Sequence, residues 1–352
     1  TVGTSLSGGL DSSSIVASIL QLPGRSNQLS SFSATFPGFA NDESGFIQLL
    51  VKDKGILNYQ VSPTADDCID AFEKILFYQE EPFASASIVA QYMVFKLAKQ
   101  HSVTVLLDGQ GADETLAGYH KYYHWFWQEL YRAKNSLLQK EIIAAKELGI
   151  PADWGLSNKI AAYFPGKTAR YLQNRELKRI ERNSFVSKEF MQAFKRPETI
   201  IKPSVKTLND ILSFNTQSFG LGELLRYADR NSMAHSCEVR LPFLQHELVS
   251  FIFSLPAHYK IHDGYGKWLL RKSSAQVLPR EITWRKDKTG FEPPQKTWME
   301  NKRMQDYMQE AKKKLVQEKI LNGQALYKKI QPVDTHAADN FDWRFMVAAG
   351  LL

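Results

Sequence analysis

Three short stretches of this sequence carry side chains that could do chemistry. The first is Ser7-Gly8-Gly9-Leu10-Asp11-Ser12-Ser13, set between an extended start and a helix-period run of Ile15, Val16, Ile19 and Leu20. Gly8 and Gly9 permit positive φ and close backbone approach. Ser7, Ser12 and Ser13 add hydroxyl donors. Unpaired amides at a helix start, with the helix dipole behind them, favour an anion. Asp11 would repel a bare phosphate, but Mg²⁺ shared by carboxylate and phosphate oxygens removes that conflict. The stretch therefore reads as a site for a metal-bound polyphosphate. The plainer alternative is a glycine-serine turn that caps a helix. No Lys follows the last glycine, so this is not a Walker loop, and the spacing is not that of the dinucleotide fingerprint.

The second stretch is Asp108-Gly109-Gln110-Gly111-Ala112-Asp113-Glu114. It repeats the logic of strand, glycine-rich turn and acidic helix start. It should end on the same sheet edge, with Asp113 joining Asp11 on one Mg²⁺. Taken alone, Asp113 and Glu114 equally suit an ordinary helix N-terminus. The third is Arg285-Lys286-Asp287-Lys288 before Gly290. Placed cations stabilise phosphoryl-type transition states, so Lys288 could act over a bound nucleotide. Spacing alone favours a solvated lysine in a charged loop.

The elements that must hold these stretches alternate over residues 1–120. Strand signals at Val2–Leu6, Ser31–Phe36, Tyr59–Ser62 and Val103–Leu107 are separated by helix signals at about 12–20, 42–54, 66–77 and 87–101. Apolar strands alternating with helices predict an α/β fold, a mostly parallel sheet with helices on both faces. Ligands in such sheets sit beyond the carboxyl ends of the strands, where the two glycine-rich turns fall. From residue 121 to 352 helix-period segments dominate, beginning with the aromatic Tyr119–Tyr131. This part is expected to pack on the first as a helical remainder.

The bulk composition fits this reading. The 352 residues are 43% hydrophobic and 23% charged with net charge +7, which suits a globular protein and is compatible with a polyanionic ligand. Cys68 and Cys237 lack metal-ligand spacing and read as reduced buried thiols of a cytoplasmic protein. No run reaches the roughly 18 apolar residues that span a bilayer, so no membrane partner is expected. Leu248–Leu255 is expected to be a core helix. The basic Lys167–Lys206 and Lys312-Lys313-Lys314 are read as polar helical faces rather than nucleic-acid surfaces. The Arg226–Leu244 block sets Asp229, Arg230, Glu238 and Arg240 beside apolar residues. It reads either as a buried ion-pair network or as a contact to substrate. The chain starts without Met inside a core strand, so it is expected to be part of a longer polypeptide.

The string SGGLDS resembles the pyrophosphate loop of the ATP-pyrophosphatase superfamily. With DGQGADE and Gly118-Tyr119 about a hundred residues later, it resembles the synthetase domain of glutamine-hydrolysing asparagine synthetases. Further similar segments are Glu81-Pro82-Phe83, Leu225–Ala234, Glu238–Leu244, Gly266-Lys267, Leu270-Arg271-Lys272 and Trp284–Phe291. The likeness spans nearly the whole chain. It implies an adenine nucleotide alpha hydrolase-like fold. It also implies an ATP-dependent ligase that adenylates the aspartate side chain, releases pyrophosphate, and forms the amide with ammonia. On that resemblance Ser7, Gly8, Gly9, Asp11, Ser12 and Ser13 hold pyrophosphate, and Asp11 and Asp113 hold Mg²⁺. Leu6, Ala34, Asp108 and Gly109 seat the adenosine, and Lys288 meets the charge developing at the α-phosphate. Gln110 replaces a family glutamate thought to deprotonate ammonium. A carboxamide orients by hydrogen bonds but is no base. Lactam formation, amidation of another carboxylate and nucleotide binding without turnover are therefore competing expectations, and a more distant one is a tRNA-modifying relative whose basic Lys167–Lys206 would bind RNA. The family's glutaminase domain is absent from this sequence and is expected upstream. Nothing in the sequence sets the oligomeric state, and a homo-oligomer is compatible with it.

Overall fold

A computed structural model describes residues 1–23, 29–181, 185–193, 204–286 and 290–352. Its first layer is a parallel sheet of β1 (Val2–Ser5), β2 (Ser30–Ala34), β3 (Leu57–Val61), β4 (Val105–Leu107) and β5 (Glu238–Arg240), in the order β3-β2-β1-β4-β5. The chain steps outward from β1 to β3, then returns to lay β4 on the free side of β1. The connections on either side of the β1/β4 seam therefore leave in opposite senses. That opens a crevice at the carboxyl ends of these two strands, where open α/β sheets bind ligands.

Helices α1 (Leu10–Leu20) and α2 (Ser44–Lys54) cover one face of the sheet. Ile15, Val16, Ile19, Ile47 and Leu50 are buried there with Leu6 and Leu29. Helices α3 (Ala65–Gln79) and α4 (Ser87–Gln100) cover the other, where Phe72, Ile75, Val89 and Phe95 pack with Phe32 and Leu106. A capping box of Thr64 and Asp67 starts α3, and Gly55 in the left-handed region ends α2. The parallel, doubly covered sheet predicted from the strand–helix alternation is the one observed. The helical part follows, with its own core around the aromatic helix Lys121–Arg132, where Tyr122, Tyr123, Phe126 and Trp127 are buried.

The fifth strand has no sequence expectation behind it. Glu238–Arg240 is three residues long, and its charged side chains face solvent and pair with each other at 2.8 Å. A short charged strand suits a sheet edge, and it carries no apolar alternation by which to find it. The surrounding block is not a buried ion-pair network. Arg230 pairs with Glu80 at 2.7 Å, with both side chains substantially exposed, and Arg226 pairs with Glu81. What is buried is Asn231. It accepts from Gln79 at 2.9 Å and donates to Ile88 O at 2.9 Å and Gln91 Oε1 at 3.0 Å. It fastens the helix Leu221–Met233 to α3 and α4, so this part of the block serves as scaffold.

Two further expectations change. The helix His246–Ser254 is not a core helix: Leu248 and Phe251 are exposed and Ile252 is its buried residue. Lys312 is not part of a solvated face but 1% exposed, with Nζ 2.7 Å from Asp342 and 3.1 Å from Lys328 O. Cys68 and Cys237 are free and buried, as read from the sequence. Among the described residues no helix is long and apolar enough to cross a membrane. Part of the basic Lys167–Lys206 lies outside the described residues.

Candidate active site

A cavity of about 410 Å³ opens at the β1/β4 seam. Its wall includes Leu6, Ser7, Gly9, Asp11, Ser12, Ala34, Asp108, Gly109, Gln110 and Asp113. Two turns a hundred residues apart in sequence thus face one space, because β1 and β4 are neighbours in the sheet. They are in van der Waals contact: a methyl group on Gly109 would lie 2.9 Å from Asp11 Cβ and 3.1 Å from Ser12 N.

The first turn is shaped by its own hydroxyls. Ser7 Oγ lies 3.2 Å from Ser12 Oγ and accepts from Gly9 N at 3.3 Å, while Ser12 Oγ donates to Gly9 O at 3.3 Å. Gly8 adopts φ 74°, and a Cβ there would lie 2.8 Å from Ile47 N and Phe46 Cβ. Its glycine is therefore required by the packing of α2 as well as by the turn. Gly8 and Ser13 are not on the cavity wall. Ser13 is fully buried, with no hydrogen-bond partner for its Oγ among the described residues. Asp11 lies in the first turn of α1, and Asp113 in that of the short helix Ala112–Thr115. Lys288 lies outside the described residues.

Sequence reasoning assigned no role to the cation at the centre of the site. Lys267 Nζ lies 2.5 Å from Asp11 Oδ2 and 2.6 Å from Asp113 Oδ1. Burial works against its charge, but the two carboxylates overcome this and hold its pKa above the ordinary lysine value. The Gly266-Lys267 pair among the family-like segments was the one signal. Arg271, four residues on, donates to Gly266 O at 2.9 Å and Thr283 O at 2.6 Å, tying together the segments that bring Lys267 and Arg285 to the cavity. Arg285 pairs with Glu43 at 2.6 Å and covers the Phe46 ring at 4.0 Å.

Asp108 directly follows β4 and lies on the cavity wall. Burial pushes its carboxyl up, from 3.8 to about 6, against the lowering effect of the Gly109 and Gln110 amides. The Asp11 charge raises it further, and the Ser5 hydroxyl lowers it. Gln110 Oε1 is buried without a hydrogen-bond partner among the described residues. Together the cavity offers a hydroxyl-lined turn at a helix start, convergent carboxylates and basic side chains beside an apolar wall that includes Leu6, Ala34 and Phe32.

Comparison with known proteins places the chain in a family. Residues 1–348 match the family model for asparagine synthase. Asparagine synthetase [glutamine-hydrolyzing] 1 of Bacillus subtilis is 27% identical over 97% of this chain and 53% of its own length. A putative asparagine synthetase [glutamine-hydrolyzing] of Mycobacterium tuberculosis is 26% identical over 85% of this chain and 46% of its own. The asparagine synthetase [glutamine-hydrolyzing] of Gallus gallus is 35% identical over 35% of this chain and 21% of its own. The chain spans about half the length of the first two. With its glycine-rich turns meeting at one sheet seam and the family match running from end to end, this chain belongs to the asparagine synthase family.

Proposed function

We propose that the chain is an ATP-dependent amide ligase that adenylates a carboxylate, the side chain of aspartate, and passes the acyl group to ammonia. A carboxylate oxygen attacks the α-phosphorus, the bond to the β-phosphate bridging oxygen breaks, and pyrophosphate leaves. Ammonia then attacks the acyl carbon, AMP leaves, and the nitrogen loses a proton to water. The observation that carries this reading is the convergence of the Ser7–Ser12 turn, Asp11 and Asp113 on one cavity at the sheet's switch point.

In this reading the α1 N-terminus and the Ser7 and Ser12 hydroxyls hold the departing phosphates. Asp11 and Asp113 hold Mg²⁺. Both carboxylates already point at a single cation, so the donor set fits a metal completed by phosphate oxygens. The metal supplies charge neutralisation as pyrophosphate leaves. Leu6, Ala34, Asp108 and Gly109 seat the nucleoside, and Lys288 meets the charge at the α-phosphate. The carboxamide of Gln110 accepts an N–H of the incoming nitrogen but does not deprotonate it. The matched relatives are named glutamine-hydrolysing and are about twice as long as this chain, which supports ammonia supplied by a glutaminase domain of the longer polypeptide.

Gln110 favours one second reading, in which the same adenylation serves another carboxylate or closes a lactam. Pyrophosphate release from ATP, measured with a panel of acids plus ammonium, tests both. Release with aspartate, with asparagine formed, supports the first. Release only with another acid moves the function to the second. ATP binding without release for any acid leaves a nucleotide-binding domain and sinks the ligase reading.

A further inference from the structure

The carboxylates assigned above to a metal are joined here by an ammonium. Lys267 Nζ contacts both, and its side chain is 9% exposed. This placement is built into the backbone. Lys267 has φ 53° at the N-cap of the helix Trp268–Ser274, and Ala117 in the adjoining loop has φ 58°. Left-handed backbone is strained for residues with a Cβ and persists where the surroundings enforce it. Here Lys267 N donates to Leu116 O at 3.1 Å. A Cβ on Gly118 would collide with both Asp113 Oδ1 and Lys267 Cε, so only glycine leaves room for the pair.

We propose that Lys267 is an internal counter-ion. It occupies the cation position between Asp11 and Asp113 in the nucleotide-free protein, so free divalent metal is kept out and enters only with nucleotide phosphates. This rests on the reading of Asp11 and Asp113 as metal ligands. A free divalent ion would have to share two carboxylates with a buried ammonium a few ångströms away, and like charges repel strongly in a site shielded from water. Among the described residues there is no cluster of three or more acidic, His or Cys side chains to outbid the ammonium. Phosphates change both sides of the balance. They complete the metal's oxygen shell and give the displaced ammonium a new anionic partner. Metal and nucleotide binding are therefore coupled, each strengthening the other.

Mn²⁺ binding tests this, read by the loss of the free-ion paramagnetic resonance signal, with and without α,β-methylene-ATP and with the analogue alone as control. The wild-type chain should take up Mn²⁺ weakly on its own and strongly with the analogue. Lys267→Gln should gain nucleotide-independent Mn²⁺ binding at least about tenfold tighter than wild type. Adding Asp113→Asn should remove that gain. Wild-type binding of Mn²⁺ alone that matches its binding with the analogue overturns the proposal, and so does a folded Lys267→Gln chain that gains nothing. The wild-type comparison decides even if the variant does not fold. If analogue binds but Mn²⁺ never joins it, the metal assignment itself falls, and the counter-ion with it.

Discussion

Replacing Asp108 by Asn should stabilise the protein at neutral pH and not at acidic pH. The carboxyl titrates near 3.8 when unfolded and at about 6 in the folded chain, mainly because it is buried. The folded state therefore holds the proton more tightly. Its favourable share of stability is complete below 3.8 and is lost as pH rises through about 6. At about 1.4 kcal/mol per pH unit, the ceiling on this cost above pH 7 is about 3 kcal/mol. Asp108 lines the cavity and keeps some contact with water, which reduces the effect to about 1–2 kcal/mol. Asn keeps an oxygen to accept from Gly109 and Gln110 but carries no charge to desolvate. Thermal unfolding of both proteins at pH 4 and pH 8 provides the assay. A gain of about 1–3 °C in Tm at pH 8, with little change at pH 4, is expected. An equal shift at both pH values, or a loss at pH 8, would refute the electrostatic reasoning. If the carboxylate also serves the nucleotide, the stabilised variant should bind ATP more weakly, a trade common where strain is stored at a site.

Other substitutions probe the remaining parts of the site and scaffold. Asp11→Asn should abolish ATP-dependent pyrophosphate release while leaving the circular dichroism spectrum intact; full activity would remove Asp11 from the metal site. Gly118→Ala forces Asp113 and Lys267 apart and should cost about 1–3 kcal/mol in urea unfolding together with most nucleotide binding. Unchanged binding by calorimetry would show that the pair adapts. Lys312→Met strands the Asp342 carboxylate in the core and should cost about 3–5 kcal/mol. Adding Asp342→Leu should recover much of it, and a merely additive double variant would deny the coupling.

Much of the site was legible because its determinants are local. The Ser7–Ser12 turn follows from glycine conformational freedom and hydroxyls two to five residues apart. The second turn follows from a strand ending in a glycine-rich, acidic helix start. Both stretches, with Leu6 and Ala34, line one cavity, as the strand–helix alternation implied. Ser13 looked equivalent to Ser12, yet one residue of helix rotates it into the core.

Short-range chemistry, then, was set by the sequence alone: which turns bend, which helices start, and that parallel strands bring turn ends to one edge. Tertiary structure decided which charges meet. Lys267 reaches Asp11 across 256 positions and Lys312 is buried against Asp342, and neither partner can be read from the residues around the lysine. β5 joined the sheet through backbone hydrogen bonds to β4 and not through any apolar pattern of its own. A charge has no periodicity to betray its partner. Its energy depends on burial and distance, and both exist only once distant segments have packed.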